Sequence, residues 1–251
     1  SMLKRGYDNR LTAGVIMAGG TLGIIIPPSI LMIIYALEAN VSAGKLFFAG
    51  IGPGILAALI FMVYALVMSY IRPELGPALK KEERYTLKEK FLSLKGVILP
   101  VLVIIGVLAA IFTGLATPTE AASVGVVGAL VAAAIKRKLD LNNLKKMLAM
   151  TVSLSGMFLW LLISAVAYAR IVSATGVGSW VAGMISDLDV NRWFILIGMH
   201  LIFLILGMFL DAGAILFITA PFFIPVASEL GFDMVWFGIL WILNMCIGSM
   251  T

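Results

Sequence analysis

Apolar residues in this chain run in long stretches parted by short polar pieces. Seven such stretches cover 11–37, 46–71, 96–114, 118–136, 147–169, 193–210 and 235–251, with a shorter one over 212–228. A bilayer core is crossed by about 20 consecutive apolar residues in an α-helix. The pattern therefore predicts an all-α polytopic membrane protein. Composition agrees: of 251 residues 62% are hydrophobic and 12% charged, about half the charged share of a soluble domain.

The net charge of +5 matters for where it falls. Fifteen of the 18 Lys and Arg residues lie in three pieces: "KRGYDNR" at the start, "IRPELGPALKKEERYTLKEKFLSLKG" from Ile71, and "KRKLDLNNLKK" from Lys136. Basic connectors stay on the cytoplasmic side, so these three share a side and the spans between them go out and back in pairs. The residues of 72–95 read as a cytoplasmic loop with an amphipathic surface helix. Nucleic acid is not implied, because the charge is spread along membrane connectors. One cysteine, Cys246, supports neither a disulfide framework nor a metal cluster.

The first stretch contains "GGTLGIIIPPSILMIIYA", Gly19 to Ala36. Pro27 and Pro28 each remove a backbone donor and strand the carbonyls of Gly23 and Ile24. Residues before a proline are driven toward extended geometry, and Gly19, Gly20 and Gly23 lower the cost of unwinding upstream. Two half-helices joined by extended residues are predicted, the second opening on proline at its first position. Stranded carbonyls, with hydroxyls from Thr21 and Ser29, suit a hard cation such as sodium, and the positive end of the second half-helix suits a carboxylate.

The residues 193–228 carry a second interruption. Limbs of 9–14 apolar residues flank a polar break, too short to span. A re-entrant hairpin with its tip at Asp211 to Gly213 is expected. Further on, an offset of 225 lays "NMCIGSMT" against "GGTLGIII", with Gly248 on Gly23, Asn244 on Gly19 and Thr251 on Ile26. Both copies follow a connector, "GYD" at Gly6 and "GFD" at Gly231. Two interrupted segments in corresponding places point to a transporter built from repeats. On that pattern a first hairpin and a second proline pair are expected beyond the two ends of the chain, which reads as a fragment.

The stretches "RGYDNRLTAGVIMAGGTLGIIIPPSILMIIYA", "TGLATPTEAASVGVVGAL" and "GMFLDAGAILFITAPFFIPVA" with "GFDMVWFGILWILNMCIGSMT" closely resemble the large, DctM-like membrane subunit of TRAP (tripartite ATP-independent periplasmic) transporters. The resemblance implies an elevator-type importer of organic acids in a bacterial or archaeal inner membrane, with Na⁺ as coupling ion and no other cofactor. C4-dicarboxylates, sialic acid and similar carboxylates all remain open as substrates. It also implies two partners, a small four-helix membrane subunit and a periplasmic substrate-binding protein. Sodium sites where hairpin tips meet broken helices would fall on Gly20, Thr21, Gly23, Pro27, Pro28 and Ser29 in the first repeat. In the second they would fall on Asp211, Asn244, Gly248 and Thr251. Residues 1–45 and 193–251 would then belong to the transport domain, and 46–192 to connecting and scaffold helices.

Other polar residues have plainer readings. Thr117, Pro118 and Glu120 are spaced as a capping box for the fourth segment. Asp211 is the one charged residue between Trp193 and Ser228. It reads both as a functional intramembrane carboxylate and as a helix N-cap. His200 reads as a packed group, and Asp187 to Asp189 as a solvated connector. An enzyme would need a nucleophile–base set or a metal cluster, and no such motif is present. A passive channel and a structural scaffold are the alternatives to a transporter; unbroken helices would favour the scaffold.

Overall fold

The computed structural model describes residues 2–77, 86–186 and 190–250. Among these, a single 3₁₀ turn over Leu3–Arg5 precedes ten helices: α1 Asn9–Ile25, α2 Ile30–Glu38, α3 Ala43–Ile71, α4 Leu87–Phe112, α5 Pro118–Ile135, α6 Leu141–Thr175, α7 Val177–Ser186, α8 Arg192–Gly207, α9 Ala212–Glu229 and α10 Met234–Gly248. Five of them are long and apolar enough to cross a bilayer, and the broken pair α1–α2 counts as a sixth. The fold is all-α and polytopic, as the hydrophobic pattern predicts.

Local chemistry sets the helix ends. Asp8 caps α1, its carboxylate accepting from the backbone N–H groups of Arg10 at 2.8 Å and Leu11 at 3.1 Å. The Thr117–Glu120 capping box forms as expected, with Pro118 as the first helical residue. An equivalent box, Thr86 with Glu89, opens α4. The backbone and hydroxyl of Thr86 donate to the Glu89 carboxylate and hold it below the usual carboxylate range.

Two expectations change here. Among the described residues of 72–95, where an amphipathic surface helix is expected, the helical part from Leu87 onward is continuous with the spanning helix α4, which runs unbroken to Phe112. The box at Thr86 starts the helix ahead of the apolar stretch, and Gly96 alone does not stop it. Residues 78–85 of that loop lie outside the described residues, as do Asp187 to Asp189. The helix α7 has no counterpart in the hydrophobic pattern. Gly176, at φ +69°, ends α6 in a left-handed conformation that glycine adopts freely, and a new helix begins one residue later.

The chain forms two compact units, residues 1–28 with 51–139, and residues 29–50 with 140–251. The first boundary falls inside the proline pair's own break, which frees α2 to pack with α10. In the first unit α4 packs on α5, with Val103 against Gly128, where a Cβ would meet it at 2.8 Å.

In the second unit α2, α8, α9 and α10 pack together, and α6 and α7 lie on α9. Its centre is Trp241, which stacks on Phe203 at 4.6 Å and meets the Tyr35 ring edge-on at 5.5 Å. Tyr35 and Trp241 are both fully buried. The Tyr35 hydroxyl donates to the Met234 carbonyl at 2.7 Å, and Gly238 leaves room for its ring, which any Cβ there would strike. Lipid tails are as apolar as leucine, so such helices are held by close packing and hydrogen bonds more than by hydrophobic transfer. Apolar side chains of α3 and α6 such as Leu66, Val152 and Ile163 stay exposed, as a bilayer permits.

Candidate functional site

The first candidate region is the break between α1 and α2. The helix α1 ends at Ile25, and Ile26 turns extended with φ −79° and ψ 122°. A cis peptide joins Pro27 to Pro28. Ser29 is extended too, with φ −123° and ψ 129°. The two half-helices joined by extended residues are present. One detail differs: the second half-helix opens at Ile30 with Ser29 as its N-cap, and both prolines stay in the break. A serine hydroxyl accepts from a first-turn N–H, here Met32 at 3.5 Å, which proline cannot do.

Each candidate residue of this region has a defined setting. Gly20 and Gly23 are exposed on α1, and no heavy atom lies within 4 Å of where a Cβ would stand on either. Thr21 is buried and donates its hydroxyl to the Ala18 carbonyl at 3.1 Å, so its oxygen lone pairs point away from that bond. Pro27 is buried and Pro28 exposed. Ser29 is 3% exposed.

The second region lies wholly in the second unit. The helices α8 and α9 form a hairpin that turns over Met208–Leu210, and Asp211 caps α9, its carboxylate accepting from the Gly213 N–H at 2.9 Å. Asp211 itself is exposed. The tip lies just ahead of the expected Asp211 to Gly213: Asp211 is the cap, and Ala212 and Gly213 already belong to α9. The limbs differ too: they are 16 and 18 residues long, not 9–14. At 1.5 Å per residue α9 extends about 27 Å, because Pro221 and Pro225 are carried inside the helix instead of ending it.

Beside this turn stands the end of α10. Gly248 is buried against Gly207, and a Cβ on either would come within 2.9 Å of the other's Cα. Asn244, one turn earlier, donates its side-chain amide to the His200 carbonyl at 2.8 Å and lies 3.1 Å from the His200 ring Nδ1. The Asn244 Oδ1 and the His200 Nε2 are both buried without a partner. Thr251 lies outside the described residues. Gly207 and the His200 link were missed from sequence. The "LG" before the hairpin tip and the lone histidine on a facing apolar helix were the available signals, but neither names its partner.

The repeat with offset 225 recurs in local structure. Gly6 and Gly231 both take left-handed backbone, at φ +81° and +71°. Asp8 and Asp233 both cap the helix that follows, Asp233 accepting from the Trp236 N–H at 2.8 Å. The "GYD" and "GFD" connectors thus start α1 and α10 in the same way.

An interrupted apolar span and a helical hairpin whose tip abuts another helix end, beside five helices long enough to cross a bilayer, define a class: multi-pass, all-α membrane proteins with broken helices. The chain belongs to the family described as the Tripartite ATP-independent periplasmic transporter, DctM component, whose model matches residues 1–251. It is 35% identical over 251 residues to the C4-dicarboxylate TRAP transporter large permease protein DctM of Pseudomonas aeruginosa, covering 100% of this chain and 58% of that protein. To the sialic acid TRAP transporter large permease protein SiaM of Vibrio cholerae it is 33% identical over 254 residues, again 100% of this chain and 58% of that protein. To the ectoine TRAP transporter large permease protein TeaC of Halomonas elongata it is 27% identical, with the same two coverages. The chain thus spans somewhat more than half the length of these relatives. All three relatives carry the names of permeases and not of enzymes.

Proposed function

We propose that a permease containing this chain uses a sodium gradient to import a small organic acid. The observation that carries the reading is the break at Ile26–Ser29, inside an apolar span of a chain that matches the DctM family throughout. Pro27 offers no backbone donor to the Gly23 carbonyl; a carbonyl left unmet in hydrocarbon costs several kcal/mol, and a cation would offset that cost.

Sodium is assigned to two sets of oxygens. The first comprises the backbone from Gly20 to Gly23, the Thr21 hydroxyl, and the residues around Pro27, Pro28 and Ser29. The second comprises the turn at Asp211 with Asn244, Gly248 and Thr251. The unpartnered Oδ1 of Asn244 supports the second set. Residues 1–45 and 193–251 act as the moving, elevator-type transport domain and 46–192 as connecting and scaffold helices. A small four-helix membrane subunit and a periplasmic binding protein complete the system in a bacterial or archaeal inner membrane.

The relatives' names mention C4-dicarboxylate, sialic acid and ectoine, each a carboxylate-bearing solute. A carboxylate fits the amino end of α2, and we assign that group to the substrate. The test is uptake into proteoliposomes holding the full-length permease and its small subunit, supplied with loaded binding protein. An inward sodium gradient should drive accumulation above the outside concentration, and potassium in its place should not. Equilibration without sodium would identify a passive channel and overturn the reading.

A further inference from the structure

Two half-buried polar side chains, His200 of α8 and Asn244 of α10, meet in the second unit, and His200 has no part in the function proposed above. His200 sits on α8 with its ring edge-on to Phe203 at 5.7 Å and tilted against Phe237 at 6.2 Å. Its backbone carbonyl takes the Asn244 amide nitrogen at 2.8 Å, and its Nδ1 lies 3.1 Å from the same nitrogen. A carbonyl only accepts, so the Asn244 group facing it is the NH₂. An amide N–H is received at Nδ1 only by a neutral ring that carries its proton on Nε2. Both hydrogens of the amide are thereby committed to one residue. The Oδ1 is left buried and without a partner.

We infer that His200 is a positioning residue: it locks the Asn244 side chain with its amide nitrogen turned away and its oxygen presented as a bare acceptor for a cation. A buried acceptor of this kind is costly to leave unmade, and a bound ion or ion-held water removes that cost. Without the ring nitrogen the amide keeps one anchor, the carbonyl, and can swing about it, so its NH₂ competes for the position the oxygen should hold. An amide nitrogen there repels a cation. The inference rests on the sodium reading above and adds to it a residue that touches neither ion nor solute.

The test is direct sodium binding, read as the sodium-dependent rise in melting temperature of the full-length permease in detergent at constant ionic strength. His200→Phe keeps a ring between Phe203 and Phe237 but deletes Nδ1. It should need about tenfold more sodium for the same rise, the lower end of what loss of an orienting partner costs a metal site. His200→Gln, whose Oε1 can replace Nδ1 as acceptor, should titrate close to wild type, a rescue that a purely packing role does not predict. Should His200→Phe not fold, His200→Ala with the same Gln comparison replaces it. A wild-type sodium midpoint in His200→Phe or His200→Ala, with the wild-type protein itself stabilised by sodium, overturns the inference and leaves the sodium reading standing. A wild-type protein indifferent to sodium in both melting and uptake refutes the sodium reading instead.

Discussion

Gly23 and Gly248 occupy equivalent places in two helices that begin alike, yet their surroundings differ. Around Gly23 there is open space where a Cβ would stand, whereas Gly248 lies against the Gly207 backbone at the base of the α8–α9 turn. The backbone of a neighbour therefore holds position 248 to glycine, whereas no atom around Gly23 excludes a side chain. A shared sequence pattern thus fixes the local start of each helix, through Asp8 and Asp233, but not the packing at its end.

Substitutions sharpen the contrast in a graded way. Gly248→Ala should be the most damaging, since the atoms in its path are backbone and cannot rotate aside. A loss of about 1–3 kcal/mol is expected for such overpacking, seen as a lower melting temperature in detergent, and Gly207→Ala should match it. The caps come next: Asp8→Ala and Asp233→Ala should each cost about 1 kcal/mol, and by a similar amount, because each carboxylate serves the same turn of its helix. Unequal costs would break the equivalence of the two connectors. Gly23→Ala should have the smallest effect on stability, neutral or about 0.5–1 kcal/mol stabilising, as alanine is the better helix former. If the backbone at Gly23 must yield to an ion, that variant gains stability while its sodium-driven uptake falls.

Much of this was readable from the residues. The proline pair dictated a break, Thr117 with Glu120 dictated a capped helix start, and the polar tip at Asp211 dictated a turn, because each signal acts over four residues or fewer. The offset of 225 exposed the shared "GYD" and "GFD" connectors. The features that stayed hidden join residues far apart in the chain. Nothing local ties His200 to Asn244, Gly207 to Gly248, or Tyr35 to Met234 and Gly238. A helix pattern shows which positions are polar or small, and the partner is chosen by how helices cross. The misjudged lengths, α4 extended back to Leu87 and the full 18 residues of α9, have another cause. Capping chemistry and tolerated prolines extend helices past the edges of the apolar runs.

The central claim is that the break at Ile26–Ser29 works as a cation site and is not a kink that neighbours absorb. The most direct measurement is sodium-dependent uptake by the full-length permease carrying Pro27→Ala and Pro28→Ala together. The double variant restores two backbone N–H donors in the break and favours a continuous helix. The account predicts normal insertion with sodium stimulation lost or shifted at least about tenfold in sodium midpoint, the scale of one disrupted ligand set. An unchanged sodium dependence in that variant would contradict it.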